Sequence, residues 1–313
     1  MDLVCVGELL VDRIAVGSTV RTFFGGAPAN VAVNYAQLGG QAAVIAKVGA
    51  DALGRFLLDG LKGHGVSTDG VVTDGRHQTS EVYVGPSDTA CRPMRDADAH
   101  LRPDELDVGL VSGCRILHTS MFSLAQEPSR SAILEAVRLA KADRRLVSLE
   151  PNYRPQVWPD REEAIETLER LLPSVDLVKP SMEDSRSLYG EMAPEEYLRL
   201  FAAFGPRVVV LTRGQEGCLV LDGDRITGVP GYKIDVVDTL GAGDAFWSGF
   251  LWKWLEGESS VEAARFGNAV AALKVGSVGA VAPLPRADRV YDELQSRLKG
   301  SKEGALHDFD AKE

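Results

Sequence analysis

Asp238 and Asp244 bracket a glycine-rich turn, Thr239-Leu240-Gly241-Ala242-Gly243, which runs directly into the apolar stretch Ala245-Phe246-Trp247-Ser248-Gly249-Phe250. A helix that begins there leaves its first backbone N–H groups without intrahelical partners and puts the positive end of its dipole at the turn. Anions bind such termini when no side chain blocks the approach. Gly241, Ala242 and Gly243 keep the approach open, which makes them the candidate anion hole for a phosphate. Asp244, at the same turn, can face an incoming hydroxyl and accept its proton. The combination suits phosphoryl transfer to an alcohol. An ordinary helix start would explain a glycine turn alone; the paired carboxylates ahead of an apolar helix favour the phosphate site.

The elements that must position this turn are legible in the hydrophobic pattern. Leu3–Val6, Ala43–Val48, Arg115–His118, Leu146–Leu149, Asp176–Val178 and Val208–Thr212 read as short strands. Between them lie amphipathic stretches, with Leu53, Phe56, Leu57 and Leu61 on one helical face and Ile165, Leu168, Leu171 and Leu172 on another. Alternation of this kind predicts an α/β fold with a mostly parallel sheet covered by helices on both sides. Ligands then sit beyond the carboxyl ends of the strands. Arg13–Phe24 and Thr79–Met94 break the alternation and read as strands without intervening helices.

Composition narrows the function. At 313 residues with 45% hydrophobic and 25% charged residues, the chain has the make-up of an ordinary globular protein. No apolar run reaches the roughly 20 residues of a membrane span, and the N-terminus reads as a strand rather than a secretory signal. Cys5, Cys91, Cys114 and Cys218 show no metal-like spacing, which points to a reducing, cytoplasmic location. A net charge of −11 argues against nucleic acid and anionic membranes as partners. It also means that a nucleotide must be attracted by local basic groups and helix termini. Neither G-x-x-x-x-G-K-[ST] nor a G-x-G-x-x-G turn after the first strand occurs, which excludes a P-loop and weakens any dehydrogenase reading.

The 238–244 segment resembles the D-T-x-G-A-G-D signature of the ribokinase-like (PfkB) sugar kinases. Gly25-Gly26-Ala27-Pro28-Ala29-Asn30-Val31-Ala32 resembles the N-terminal glycine pair of that family in its fructokinase-like form, and Lys47–Gly54 resembles the next block. The similarity runs from about Leu3 to Leu294. It implies a ribokinase-like three-layer α/β/α fold, with a kinase domain over 1–298, a small β-sheet lid from about 13–24 and 79–94, and a polar tail over 299–313. It further implies ATP and Mg2+ as cofactors, a small sugar as substrate and a homodimer formed through the lid.

The resemblance also assigns roles. For the sugar these are Asp12, Gly25, Gly26, Asn30, Arg95, Asn152 and Arg154, although Arg95 reads equally well as an exposed lid arginine. For the nucleotide they are Lys179, Ser181, Thr212, Arg213, Gly214, Gly217 and Asn268. Asp184 would hold magnesium through water. Asp238 and the carbonyl of Leu240, with carbonyls of the loop Lys274–Gly279, would hold a monovalent cation such as K+. Four positions depart from the family pattern: Glu150 stands for Asp, Ser181 for Asn, Asp184 for Glu and Met94 for an aromatic residue. Fructose or a similar keto-sugar is the leading expectation for the substrate, with 2-keto-3-deoxygluconate and ribose-type kinases as alternatives. The departures motivate one reading of another class, a catalytically weak sensor or scaffold.

Overall fold

The computed structural model describes residues 1–16, 19–84 and 92–307. Cys91, the lid positions 17–18 and 85–91, and the end of the tail at 308–313 lie outside the described residues.

Strand β1 (Leu3–Val6) has every side chain buried, as a strand covered on both faces must. Its alternation splits the core: Val4 and Val6 pack into one hydrophobic cluster, Leu3 and Cys5 into the other. On one side β1 pairs in parallel with β4 (Ala42–Gly49), and β4 with β5 (Ser67–Asp74); on the other it pairs with β8 (Ile116–Ser120). The parallel run continues through β9 (Leu146–Glu150), β10 (Leu177–Val178) and β11 (Val208–Thr212). Two antiparallel strands, β12 (Cys218–Asp222) and β13 (Arg225–Val229), complete a nine-stranded sheet of order β13-β12-β11-β10-β9-β8-β1-β4-β5.

Helices cover both faces. One face carries α4 (Ser129–Ala142), α5 (Arg161–Leu171), α6 (Met182–Tyr189) and α7 (Pro194–Ala203). The other carries α1 (Ala27–Leu38), α2 (Ala52–Gly63), α8 (Ala242–Leu255) and α9 (Ser260–Lys274). A short helix, α3 (Val108–Gly113), precedes β8. Within α2 only part of the expected stripe is buried: Leu57 and Leu61 are, whereas Phe56 is exposed. Phe56 sits more than a quarter-turn from the line through Gly54, Leu57 and Leu61 and so points away from the sheet. The last helix, α10 (Val290–His307), continues through residue 299, where the tail was expected to begin.

A second, four-stranded sheet stands apart in the order β3-β2-β6-β7. It consists of β2 (Leu10–Val16), β3 (Thr19–Gly25), β6 (Glu81–Val84) and β7 (Arg92–Met94). Among the described residues no helix is long and apolar enough to cross a membrane.

Candidate active site

A cavity of about 630 Å³ opens at the carboxyl ends of β1, β9, β10 and β11, between the large sheet, the small sheet and the start of α8. Gly241 caps α8 in the left-handed conformation, φ +75°, and a Cβ there would lie 2.2 Å from the carbonyl oxygen of Ala280. No side chain caps the helix. The first α-helical bond runs from Ala245 N to Gly241 O, so the amides of residues 243 and 244 precede the ladder at the wall of the cavity. A Cβ on Gly243 would meet the ammonium of Lys179 at 3.0 Å. The turn therefore presents backbone amides beside a fixed cation.

Asp244 is buried in the first turn of α8, and its Oδ2 accepts a 2.8 Å hydrogen bond from Asn30 Nδ2. Asn30 reaches it because α1 starts at the glycine pair. Gly26 has φ +103°, and a Cβ there would stand 2.3 Å from Glu8 O. Gly25 does not line the cavity; its missing side chain makes room for the Asp12 carboxylate, which a Cβ would approach to 2.5 Å. Lys179, fully buried at the end of β10, forms a 2.6 Å ion pair with Glu150 at the end of β9. The extra methylene of Glu150, compared with Asp, is used to reach that ammonium.

The family model of the pfkB family carbohydrate kinases matches residues 1–287. The chain is a pfkB family carbohydrate kinase. Among its relatives, the ATP-dependent 6-phosphofructokinase of Thermoanaerobacterium thermosaccharolyticum is 36% identical over 299 residues, 92% of either chain. The structure of Vibrio cholerae O395 fructokinase with fructose, ADP and calcium ion bound superposes with a TM-score of 0.87 at 33% identity, covering 94% of this chain and 99% of that one. A double mutant of the same fructokinase, with fructose, ADP and potassium ion bound, gives a TM-score of 0.86 at 32% identity over 94% and 98%. The kinase thus has the expected ribokinase-like fold and is an ATP-dependent sugar kinase whose relatives carry nucleotide, sugar and a divalent or monovalent metal ion.

The small-sheet side of the kinase cavity is lined by Leu10, Asp12, Val82 and Val84, with Glu8, Gly26, Ala27, Asn30 and Phe122 beneath. The centre carries Glu150, Asn152 and Arg154. Asn152 holds φ +36°, a conformation that asparagine tolerates better than most residues. The far end carries Ser181, Asp184, Thr212, Arg213, Gly214, Gly217, Leu240 and Asn268. Asn268 is not a solvent-facing helix residue. It donates to Pro230 O at 3.0 Å and fixes the segment after β13. Arg154, Lys179, Arg186 and Arg213 all face the cavity, local positive charge in an acidic protein.

Arg95 is not brought to the cavity. Its guanidinium pairs with Asp98 at 2.8 Å, donates to Phe122 O at 2.9 Å and lies over the Phe122 ring, so it sets the position of a lining residue without lining the site itself. Met94, the replaced aromatic, is exposed on β7. Asp238 also stands outside the cavity and braces the phosphate turn, accepting from Leu240 N at 2.9 Å and Gly279 N at 2.8 Å.

Glu8 was not singled out from the sequence. Its buried carboxylate accepts from both Ser120 and Ser123 and from Ala27 N. The available signal was a carboxylate set between apolar Val6 and Leu9, where it has to be buried and hydrogen-bonded.

Crowding of buried carboxylates shifts their protonation. Burial, then repulsion from Asp244 and Asp238, pushes Asp12 up to about 8. Burial raises Glu8 to about 7 against the pull of its serine partners. Asp244 is also raised, by burial first, with Lys179 and Asn30 pulling it back. The unfolded chain releases the Asp12 proton near the ordinary aspartate value of about 3.9. The stability contributed by the proton held in the folded kinase is therefore fully present below that value and is lost as pH rises through about 8. Asp12→Asn is expected to flatten this decline, gaining on the wild type by up to about 1.4 kcal/mol per pH unit between the unfolded value and about 8. Urea unfolding across pH measures it; equal slopes in the two proteins would show that Asp12 carries no such burial cost.

Proposed function

We propose that this kinase is a fructokinase, transferring the γ-phosphoryl of ATP to a hydroxyl of fructose with Asp244 as the base. The observation that carries the sugar reading is the chemistry of the acceptor end. Asp12 and Asn30 offer a polyol a rim with both donors and acceptors, with the buried Oδ1 of Asn30 still unpartnered. Leu10, Val82, Val84 and Phe122 supply apolar walls, and no basic side chain lines that end among the described residues. A sugar acid or a phosphosugar, such as the substrate class in the name of the Thermoanaerobacterium relative, would need a cationic clamp there.

In the proposed reaction, Asp12 and Asn30 hold the sugar, and Asp244 orients the attacking hydroxyl. The carboxylate is far less basic than an alkoxide, so the proton moves late, as the new phosphorus–oxygen bond acidifies the hydroxyl. The amides of residues 243 and 244, at the end of the 241–243 turn, and the Lys179 ammonium hold the transferred phosphoryl group. Thr212, Arg213, Gly214 and Gly217 face the rest of the nucleotide. Magnesium, when bound with ATP, neutralises phosphate charge. Glu150, whose buried Oε2 is unpartnered, and Asp184 would supply the hard oxygen donors it takes. Both Asp184 oxygens already accept protein hydrogen bonds, from Tyr153 N and Ser181 Oγ, which suits contact through water.

The four-stranded sheet would serve as a lid that excludes water from the transfer. Exposed Val20, Tyr83 and Met94 on that sheet favour pairing of two copies through it. Buried, unpaired Cys5, Cys114 and Cys218 favour a reducing cytoplasm.

A sugar panel scored by ADP release with Mg-ATP tests the substrate. Fructose is expected to exceed fructose 6-phosphate, 2-keto-3-deoxygluconate and ribose in kcat/KM by about two orders of magnitude. A preference for either acidic substrate would overturn the neutral-sugar assignment.

A further inference from the structure

Lys274 ends α9 with its side chain completely buried, 0% exposed, and its Nζ donates a 2.9 Å hydrogen bond to the carbonyl oxygen of Asp238. Asp238 and the loop from 274 to 279 are where the family resemblance implied a monovalent cation. An ammonium of the same charge as K+ already bonds to the backbone of Asp238 at that place. We infer that Lys274 is a built-in monovalent cation for the phosphate turn, so that this kinase requires no K+.

The surroundings suit a cation and give the ammonium no other evident task. Val237 N and Asp238 N both bond to Val275 O, which ties the stretch before the turn to the end of α9. The Asp238 carboxylate bonds to Leu240 N and Gly279 N, which ties the turn to the loop after α9 at the residue whose carbonyl holds Lys274. Burying an ammonium is unfavourable unless negative charge and carbonyl oxygens compensate. Asp238 and the negative end of the α9 dipole provide both. The carbonyl of Leu273 in the last turn of α9 is taken by Arg297 Nη1 at 2.9 Å, so Lys274 is not needed to cap the helix. Sequence alone argues against another internal cation, since Val275-Gly276-Ser277-Val278-Gly279-Ala280 contains no basic residue.

The consequence reaches the chemistry through the turn. Gly241 packs its backbone against Ala280, and Asp238 bonds to Gly279, so a fixed charge beneath both segments holds the α8 N-terminus in register. A tethered ammonium supplies this at any salt composition, whereas a bound ion supplies it only when its concentration allows.

This inference rests on the kinase reading of the turn, and the test separates the two. Fructose-dependent ADP formation is measured in KCl and in tetramethylammonium chloride of equal strength, alongside thermal unfolding of the free protein in both salts. The wild type is expected to show the same rate, within about twofold, and the same melting temperature in both. Lys274→Ala, which opens room for an ion, is expected to lose about tenfold in rate in tetramethylammonium and to regain it in K+, with a K+-specific rise in melting temperature. Lys274→Met, which fills the space without charge, is expected to stay slow in both salts. Activation of the wild type by K+ of about fivefold or more would overturn the inference without needing any variant. An Ala variant indifferent to K+ in both rate and melting temperature would do the same. Absence of turnover on any sugar counts against the kinase reading instead, while the melting temperatures still report on Lys274.

Discussion

Asp244→Asn is expected to lower kcat by about three orders of magnitude while leaving the fold and nucleotide binding intact. The substitution is isosteric, and Asn30, which donates to Oδ2 at 2.8 Å, keeps an oxygen to bond to after an amide rotation. What disappears is the only group on α8 able to take the hydroxyl proton as transfer completes. A second signature separates this loss from damage. Asp244 is held above its ordinary value chiefly by burial, with Glu8 adding repulsion. Removing its charge relieves a cost of folding, so the variant should unfold at the same or a higher denaturant concentration, above all on the alkaline side. Steady-state kinetics with nucleotide titration and urea unfolding together measure both. A variant that keeps wild-type turnover would remove Asp244 from the base role. One that loses stability along with activity would show the carboxylate to be structural.

The parts of the site that were legible in the sequence are those carried by backbone chemistry. Glycines with positive φ or a blocked Cβ, Gly26 and Gly241, are recognisable because few other residues tolerate their positions. The parallel strands were equally plain, since burial on both faces demands continuous apolar runs such as Leu3–Val6 and Val208–Leu211. The two sheet edges were harder to read. β5, Ser67–Asp74, is polar and contains Gly70, because at the rim of the sheet only Gly70 of its residues is buried and no continuous apolar run is needed. Lys274 sits in an apolar run, Ala271-Ala272-Leu273, and its partner is a carbonyl more than thirty residues away that leaves no trace in side-chain type. Arg95 failed for a similar reason. Its local partner Asp98 lies one turn on, and nothing in Pro93-Met94-Arg95-Asp96 says whether the guanidinium faces the ligand or that carboxylate.

Gly243→Val is expected to lower kcat/KM by about two to three orders of magnitude through the cradle rather than through the fold. The first added carbon would stand 3.0 Å from Lys179 Nζ and 3.7 Å from Glu150 Oε1, so a branched side chain must displace the ammonium or occupy the phosphate position. Lys179 has little freedom to yield, being buried and held by Glu150 at 2.6 Å. Gly241→Ala provides the contrast. There the obstacle is backbone, Ala280 O at 2.2 Å, and φ is +75°, so the penalty should fall on stability, by about 1–3 kcal/mol. If the cradle argument is right, Gly243→Val unfolds near the wild type yet turns over slowly, and weakening of Mg-ATP binding measured by calorimetry accompanies the loss. A Gly243→Val enzyme of near-normal kcat/KM would mean that the transferred phosphate does not approach this turn, and the anion hole would have to be sought elsewhere along the cavity wall.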